Sequence, residues 1–110
     1  MKKTSILILV LALLSLSTPA APNFKIKQLQ GAWWSNLRNP TADFGIHGDQ
    51  VWLDSDSRYH PCRVENDILI FELGPELGSV KNRIISIKGA TMVLENLATK
   101  QRTTFTRSKR

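Results

Sequence analysis

The sequence predicts a small all-β fold, an up-and-down antiparallel meander barrel of about eight short strands. Two observations carry that expectation. Three segments, Ile46-His47-Gly48-Asp49-Gln50-Val51-Trp52-Leu53, Val64-Glu65-Asn66-Asp67-Ile68-Leu69-Ile70-Phe71 and Ile87-Lys88-Gly89-Ala90-Thr91-Met92-Val93-Leu94, superimpose without a gap. Each sets an apolar residue before a two-residue turn rich in Gly, Asn and Asp, then apolar residues at alternate positions. That is how a tight β-hairpin with one buried face is written. The hairpins also recur at spacings of roughly 20 residues, so successive pairs lie side by side in a meander that closes on itself.

Residues 1–20 have the form of a signal peptide. Lys2-Lys3 give a positive start, Ile6 to Leu14 an aliphatic run, and Ser15 to Ala20 small residues, with a cut expected after Ala20. The run is shorter than the about 20 residues that span a bilayer, so no transmembrane span is expected in the mature form. The expected location is periplasmic or secreted, and residues 21–110 are read as one β-barrel domain. Such a domain, about 90 residues long, buries about 60–65% of its unfolded surface. Its core has little to spare, so an internal ligand must be small or the interior filled.

The elements follow in order. Pro22 to Gln30 forms an N-terminal segment with one helical turn carrying Phe24, Ile26 and Leu29. A first strand opens at Gly31-Ala32-Trp33-Trp34 and is expected to end near the turn-forming pair Asn39-Pro40. The first hairpin, Phe44 to Ile46 and Gln50 to Leu53, sets Ile46 against Val51 and Phe44 against Leu53. Asp54 to Ser57 is a turn. The second hairpin, Arg58 to Glu65 and Ile68 to Leu73, sets Val64 and Cys62 against Leu69 and Phe71. Gly74 to Ser79 is the longest turn-rich connection and is expected to act as a lid. The third hairpin, Val80 to Lys88 and Thr91 to Leu97, is expected to set Ile85 and Ile87 against Leu94 and Met92. Arg102 to Arg107 completes the meander.

The chain has 15 Lys+Arg, 9 Asp+Glu and a net charge of +6, which becomes +4 once Lys2 and Lys3 are removed. The C-terminal Lys100, Arg102, Arg107, Lys109 and Arg110 have no acidic neighbour. No aromatic–basic motif accompanies them, and nucleic acid is not an expected partner. Cys62 is the sole cysteine, so no internal disulfide can form, and alternation places it on the buried face with Val64.

Asn23-Phe24, followed by Leu29-x-Gly31-x-Trp33-Trp34, resembles the N-terminal signature of the lipocalins and the wider calycin group. The resemblance implies an eight-stranded barrel in which Gly31 and Trp33 belong to a plug at one end. It also implies that an arginine of the last strand, here Arg107, packs over the tryptophan. The chain is most similar to shortened, exported bacterial lipocalin-like domains. It also resembles the small periplasmic metalloprotease inhibitors, which share the barrel and the Leu-x-Gly-x-Trp start but carry a disulfide that one cysteine cannot form.

No catalytic constellation emerges. Asp54-Ser55-Asp56 opens like a calcium loop, but Arg58 and Tyr59 stand where an oxygen ligand and a glycine are needed. His60, Cys62 and His47 are too few for a metal site or a nucleophile with its base and orienting group. No cofactor or metal is expected, and the chain reads as a non-enzyme. The leading expectation is a binding module for a small hydrophobic ligand at the open end, with Phe44, Leu53, Tyr59, Phe71 and Leu77 as its residues. The alternative is an envelope or secreted protein partner, met through the outward Trp34 and Trp52 or a free segment from Ala21 to Lys27.

Overall fold

The computed structural model describes residues 23–107; the expected signal peptide and its expected cut after Ala20 lie outside them. A 3-10 turn, Ile26–Leu29, precedes eight strands: β1 Gly31–Trp34, β2 Phe44–His47, β3 Gln50–Leu53, β4 Arg58–Glu65, β5 Ile68–Glu72, β6 Ser79–Lys88, β7 Thr91–Asn96 and β8 Arg102–Arg107. Each strand pairs antiparallel with the next, and β1 pairs with β8, so the sheet is a closed up-and-down barrel. Eight strands enclose a bore that side chains can fill. Leu29, Trp33, Ile46, Val51, Leu69 and Met92 fill it and are fully buried. Cys62, Phe44, Phe71, Ile84 and Leu94 complete the buried cluster.

The three hairpins have the expected registers, with Ile46 opposite Val51, Val64 opposite Leu69 and Ile87 opposite Met92. The first turn residue of each, Gly48, Asn66 and Gly89, has φ of 64°, 59° and 58°. Positive φ at that position gives the turn the twist of the flanking strands. These turns, with the 3-10 turn, gather at one end of the barrel. The longer connections, 35–43, 54–57, 73–78 and 97–101, frame the other end.

Three expectations are corrected. β1 stops at Trp34, and residues 35–43 form a connection held by hydrogen bonds from the Ser35 N–H (3.0 Å) and hydroxyl (2.7 Å) to Asp43. In the third hairpin a β-bulge falls between Ile84 and Ser86, so Ile84, not Ile85, stands opposite Leu94. The run Ile84-Ile85-Ser86-Ile87 is apolar at both parities, and one extra residue lets Ile84 and Ile87 both face inward. The N-terminal segment is not free over its described part. The Phe24 N–H donates to the Asn66 carbonyl at 3.0 Å, and Phe24 and Ile26 pack against the core.

The closed end is organised by Arg107. Its guanidinium carbon lies 4.4 Å from the Trp33 ring centroid. Nη1 donates to the carbonyls of Gln30 (2.8 Å) and Gln28 (3.2 Å), and Nη2 to that of Gly89 (3.0 Å). Trp33 Nε1 donates to the Leu29 carbonyl at 2.9 Å. One side chain thus joins β8, β1, the 3-10 turn and the β6–β7 hairpin. Gly31 makes room for it, with φ of 114° and a position where a Cβ would stand 3.2 Å from Arg107 Cδ.

Arg107→Ala is expected to destabilise the protein by about 2–3 kcal/mol, from the cation–π contact and the charged hydrogen bonds together. Arg107→Lys should recover only a minor share, because a point-charge ammonium cannot fork to three carbonyls. Urea unfolding midpoints check both; a lysine variant as stable as the parent would contradict this account.

Candidate binding site

The connections at the open end frame a cavity of about 410 Å³. Strand parity turns Phe44, Phe71, Leu94 and Phe105 into the bore beneath it. Phe44 meets Phe71 edge-on at 5.5 Å between centroids and Phe105 at 5.1 Å, so three rings support one another as a floor. The wall of β6, β7 and β8 is polar. Asn82 lies opposite Leu69 and Asn96, and Thr103 opposite Leu94, which directs all three inward. Asp43, Thr99 and Gln101 complete the lining. Local hydrogen bonds fix the rim: Asn96 Oδ1 accepts from the N–H groups of Ala98 (2.9 Å) and Thr99 (3.0 Å).

Of the five residues expected to hold a ligand, Phe44 and Phe71 line this cavity. Leu53 stands opposite Phe44 and packs against the core, outside the lining. Tyr59 faces outward, opposite Trp52, and Leu77 is 71% exposed on the β5–β6 connection. That connection is bonded to itself, from the Gly78 N–H to the Gly74 carbonyl (2.7 Å) and from the Leu73 N–H to the Gly78 carbonyl (2.8 Å). None of its residues lines the cavity. Leu94, Phe105, Asn82, Asn96 and Thr103 were not among the expected ligand residues. Phe105 was signalled by sharing the parity of Arg107; the inward asparagines read as ordinary polar positions.

Trp34 and Trp52 do face outward. They border a second cleft, of about 320 Å³, on the outside of β1–β4 with Tyr59 and His47. A third groove, of about 420 Å³, runs between the N-terminal segment and the β4–β5 hairpin, past Cys62 and Asp49.

The titratable groups around the bore are locally engaged. His60 is buried, and its Nε2 lies 2.7 Å from Asp56 Oδ2 in the β3–β4 turn. Desolvation alone would raise the Asp56 carboxyl, but the hydrogen bonds from His60 and from the Arg58 N–H, with the charges of both residues, outweigh it and hold the pKa below 3.8. Glu72 is held below its ordinary 4.5 by the Ser79 hydroxyl and then by Arg63. Burial, with the nearby Asp49 charge, pushes the Cys62 thiol up to about 11. Among the described residues, no three His, Cys, Asp or Glu side chains gather closely enough to hold a metal ion.

Compared with protein-family models, curated proteins and solved structures, the chain matches none.

Two outcomes follow. Asp56 and Glu72 have depressed folded-state values, so their contribution to stability is complete above the ordinary carboxylate range and is lost as pH falls through the folded values. Thermal midpoints should hold from pH 7 to about 5 and drop below about 4, with a shallower drop in Asp56→Asn; equal drops in variant and parent would contradict the assignment. Cys62, buried and with little thiolate, should react with iodoacetamide at pH 8 at least about 100-fold more slowly in the native than in the urea-unfolded protein. Comparable rates would show an accessible thiol.

Proposed function

We propose that the chain is an exported, non-catalytic binding module, a lipocalin-like barrel holding a small ligand in its mouth. The observation that carries this reading is the floor of Phe44, Phe71 and Phe105 beneath a cavity of about 410 Å³ with a polar wall. Ligand pockets typically occupy about 300–1,000 Å³ and combine an apolar lining with a few placed polar groups. The ligand that fits is small, with an apolar body against the rings and a hydroxyl or amide toward Asn82, Asn96 and Thr103. Below the floor the bore is packed, so the ligand sits at the rim and does not thread the barrel. Export rests on the tripartite pattern of residues 1–20. The lipocalin likeness rests on Gly31, Trp33 and Arg107, whose cluster at the closed end is the arrangement that the resemblance implies.

The neutral apolar probe N-phenyl-1-naphthylamine tests the reading. Its emission should rise saturably at low micromolar concentration. Thr103→Phe, which fills the cavity from the polar wall, should abolish the rise while circular dichroism stays unchanged. Probe binding that is absent, or that persists in the filled variant, would overturn the proposal.

A further inference from the structure

The outer cleft has an organisation of its own. Ala32, Gly45, Trp52 and Tyr59 stand in one row across four strands, each opposite the next. The row begins with two residues of minimal size and ends with two large rings. Trp34, two residues beyond Ala32, rises on the mouth side, and His47, two residues beyond Gly45, rises on the hairpin side. The result is a notch over Ala32, with the His47 ring lying over the buried Gly45 and aromatic rings on three sides. Pro40, Thr41 and Ala42 close it where the β1–β2 connection passes.

The walls are held in place. Trp34 Nε1 donates to the Asn39 carbonyl at 3.1 Å, and the His47 and Tyr59 rings meet edge-on at 6.0 Å. Buttressed rings present stacking faces at little entropic cost. Their polar tips, the Tyr59 hydroxyl and the His47 nitrogens, supply hydrogen bonds at the edge.

Three features narrow the ligand. The chain has 15 Lys+Arg and 9 Asp+Glu, yet among the described residues no Lys, Arg, Asp or Glu lines the cleft, so a neutral ligand matches it. The net charge of +6 works against a cation, which three aromatic rings alone would otherwise attract. The cleft is a shallow notch on the outside of the barrel and cannot enclose the 70–90% of surface that a bound apolar molecule needs covered. A ligand with one apolar face and a hydroxylated edge meets all three conditions. It buries its C–H face on the indoles and leaves its hydroxyls in water. A protein strand could not pair here, because β1–β4 are interior strands of a closed sheet and offer no edge.

We propose that the cleft formed by Trp34, Trp52, Tyr59 and His47 is a stacking site for a neutral sugar ring of mono- or disaccharide size. It is separate from the mouth and does not depend on the ligand held there.

Titration of the purified protein with maltose, cellobiose and N,N′-diacetylchitobiose tests it. At least one should shift tryptophan emission saturably at millimolar concentration and move the indole N–H resonances of Trp34 and Trp52. Trp52→Ala should weaken that sugar at least tenfold. Gly45→Val keeps all four aromatic residues but lifts the His47 ring into the notch, since a Cβ there already stands 3.6 Å from His47 Nε2 and the two methyls reach further. It should also abolish binding, with the circular dichroism of the parent. The mouth-filling Thr103→Phe should leave sugar binding unchanged, which separates this site from the other. No saturable response to any of the three sugars would overturn the proposal. So would sugar binding that survives Gly45→Val, or a response to tetramethylammonium chloride in place of the sugars.

Discussion

The contact between Arg107 and Trp33 is the constraint on which the rest of the barrel depends. Closing the sheet requires β1 to lie beside β8, and among the described residues two register pairs, Trp33 with Arg107 and Trp34 with Thr106, join them. The guanidinium reinforces that seam by binding three carbonyls, those of Gln28 and Gln30 in the segment before β1 and that of Gly89 in the β6–β7 turn, while lying on the indole. It is also the reason the closed end is sealed. With the 3-10 turn tied down and Leu29 and Trp33 fully buried, this end of the bore is packed, and the cavity over the phenylalanine floor lies at the other.

That asymmetry separates the tasks of the two ends. Tight turns and packed aliphatic side chains occupy the lower bore, where a small domain must spend its apolar residues on stability. Toward the mouth the composition changes within single strands: β6 runs from Ile84 to Asn82, and β7 from Leu94 to Asn96. Polar side chains directed inward would be costly in a dry core. At the rim they face the cavity, where water or a ligand can satisfy them.

Much of the fold was legible because its information is local. A two-residue turn fixes register, register fixes parity, and parity fixes which side chains enter the bore. The hairpins around Gly48, Asn66 and Gly89 could therefore be paired residue by residue from the sequence. The third hairpin broke the rule where Ile84 and Ile85 are both apolar, since alternation cannot choose between adjacent candidates and the bulge chose Ile84. The candidate site was less legible. Phe44 and Phe71 were found through parity. Tyr59 lies opposite the outward Trp52, and that parity turns it away from the mouth although it sits at the same end of the barrel. Asn82, Asn96 and Thr103 left no trace, because an inward polar residue at a barrel rim and an outward one on its surface look alike in sequence.

The meander connectivity also bears on how the chain reaches this structure. Seven of the eight strand pairings join neighbours in sequence, and each can form by a short loop search once the strand before it is in place. The eighth joins residues 31–34 to 102–107 and encloses almost the whole domain. Its length-dependent loop entropy, (3/2)RT ln n, is about 4 kcal/mol for such a separation. Zipping along the chain can thus run ahead, and closure waits for the last strand to deliver its arginine. The residue that seals the barrel in space is therefore also among the last to be ordered in time.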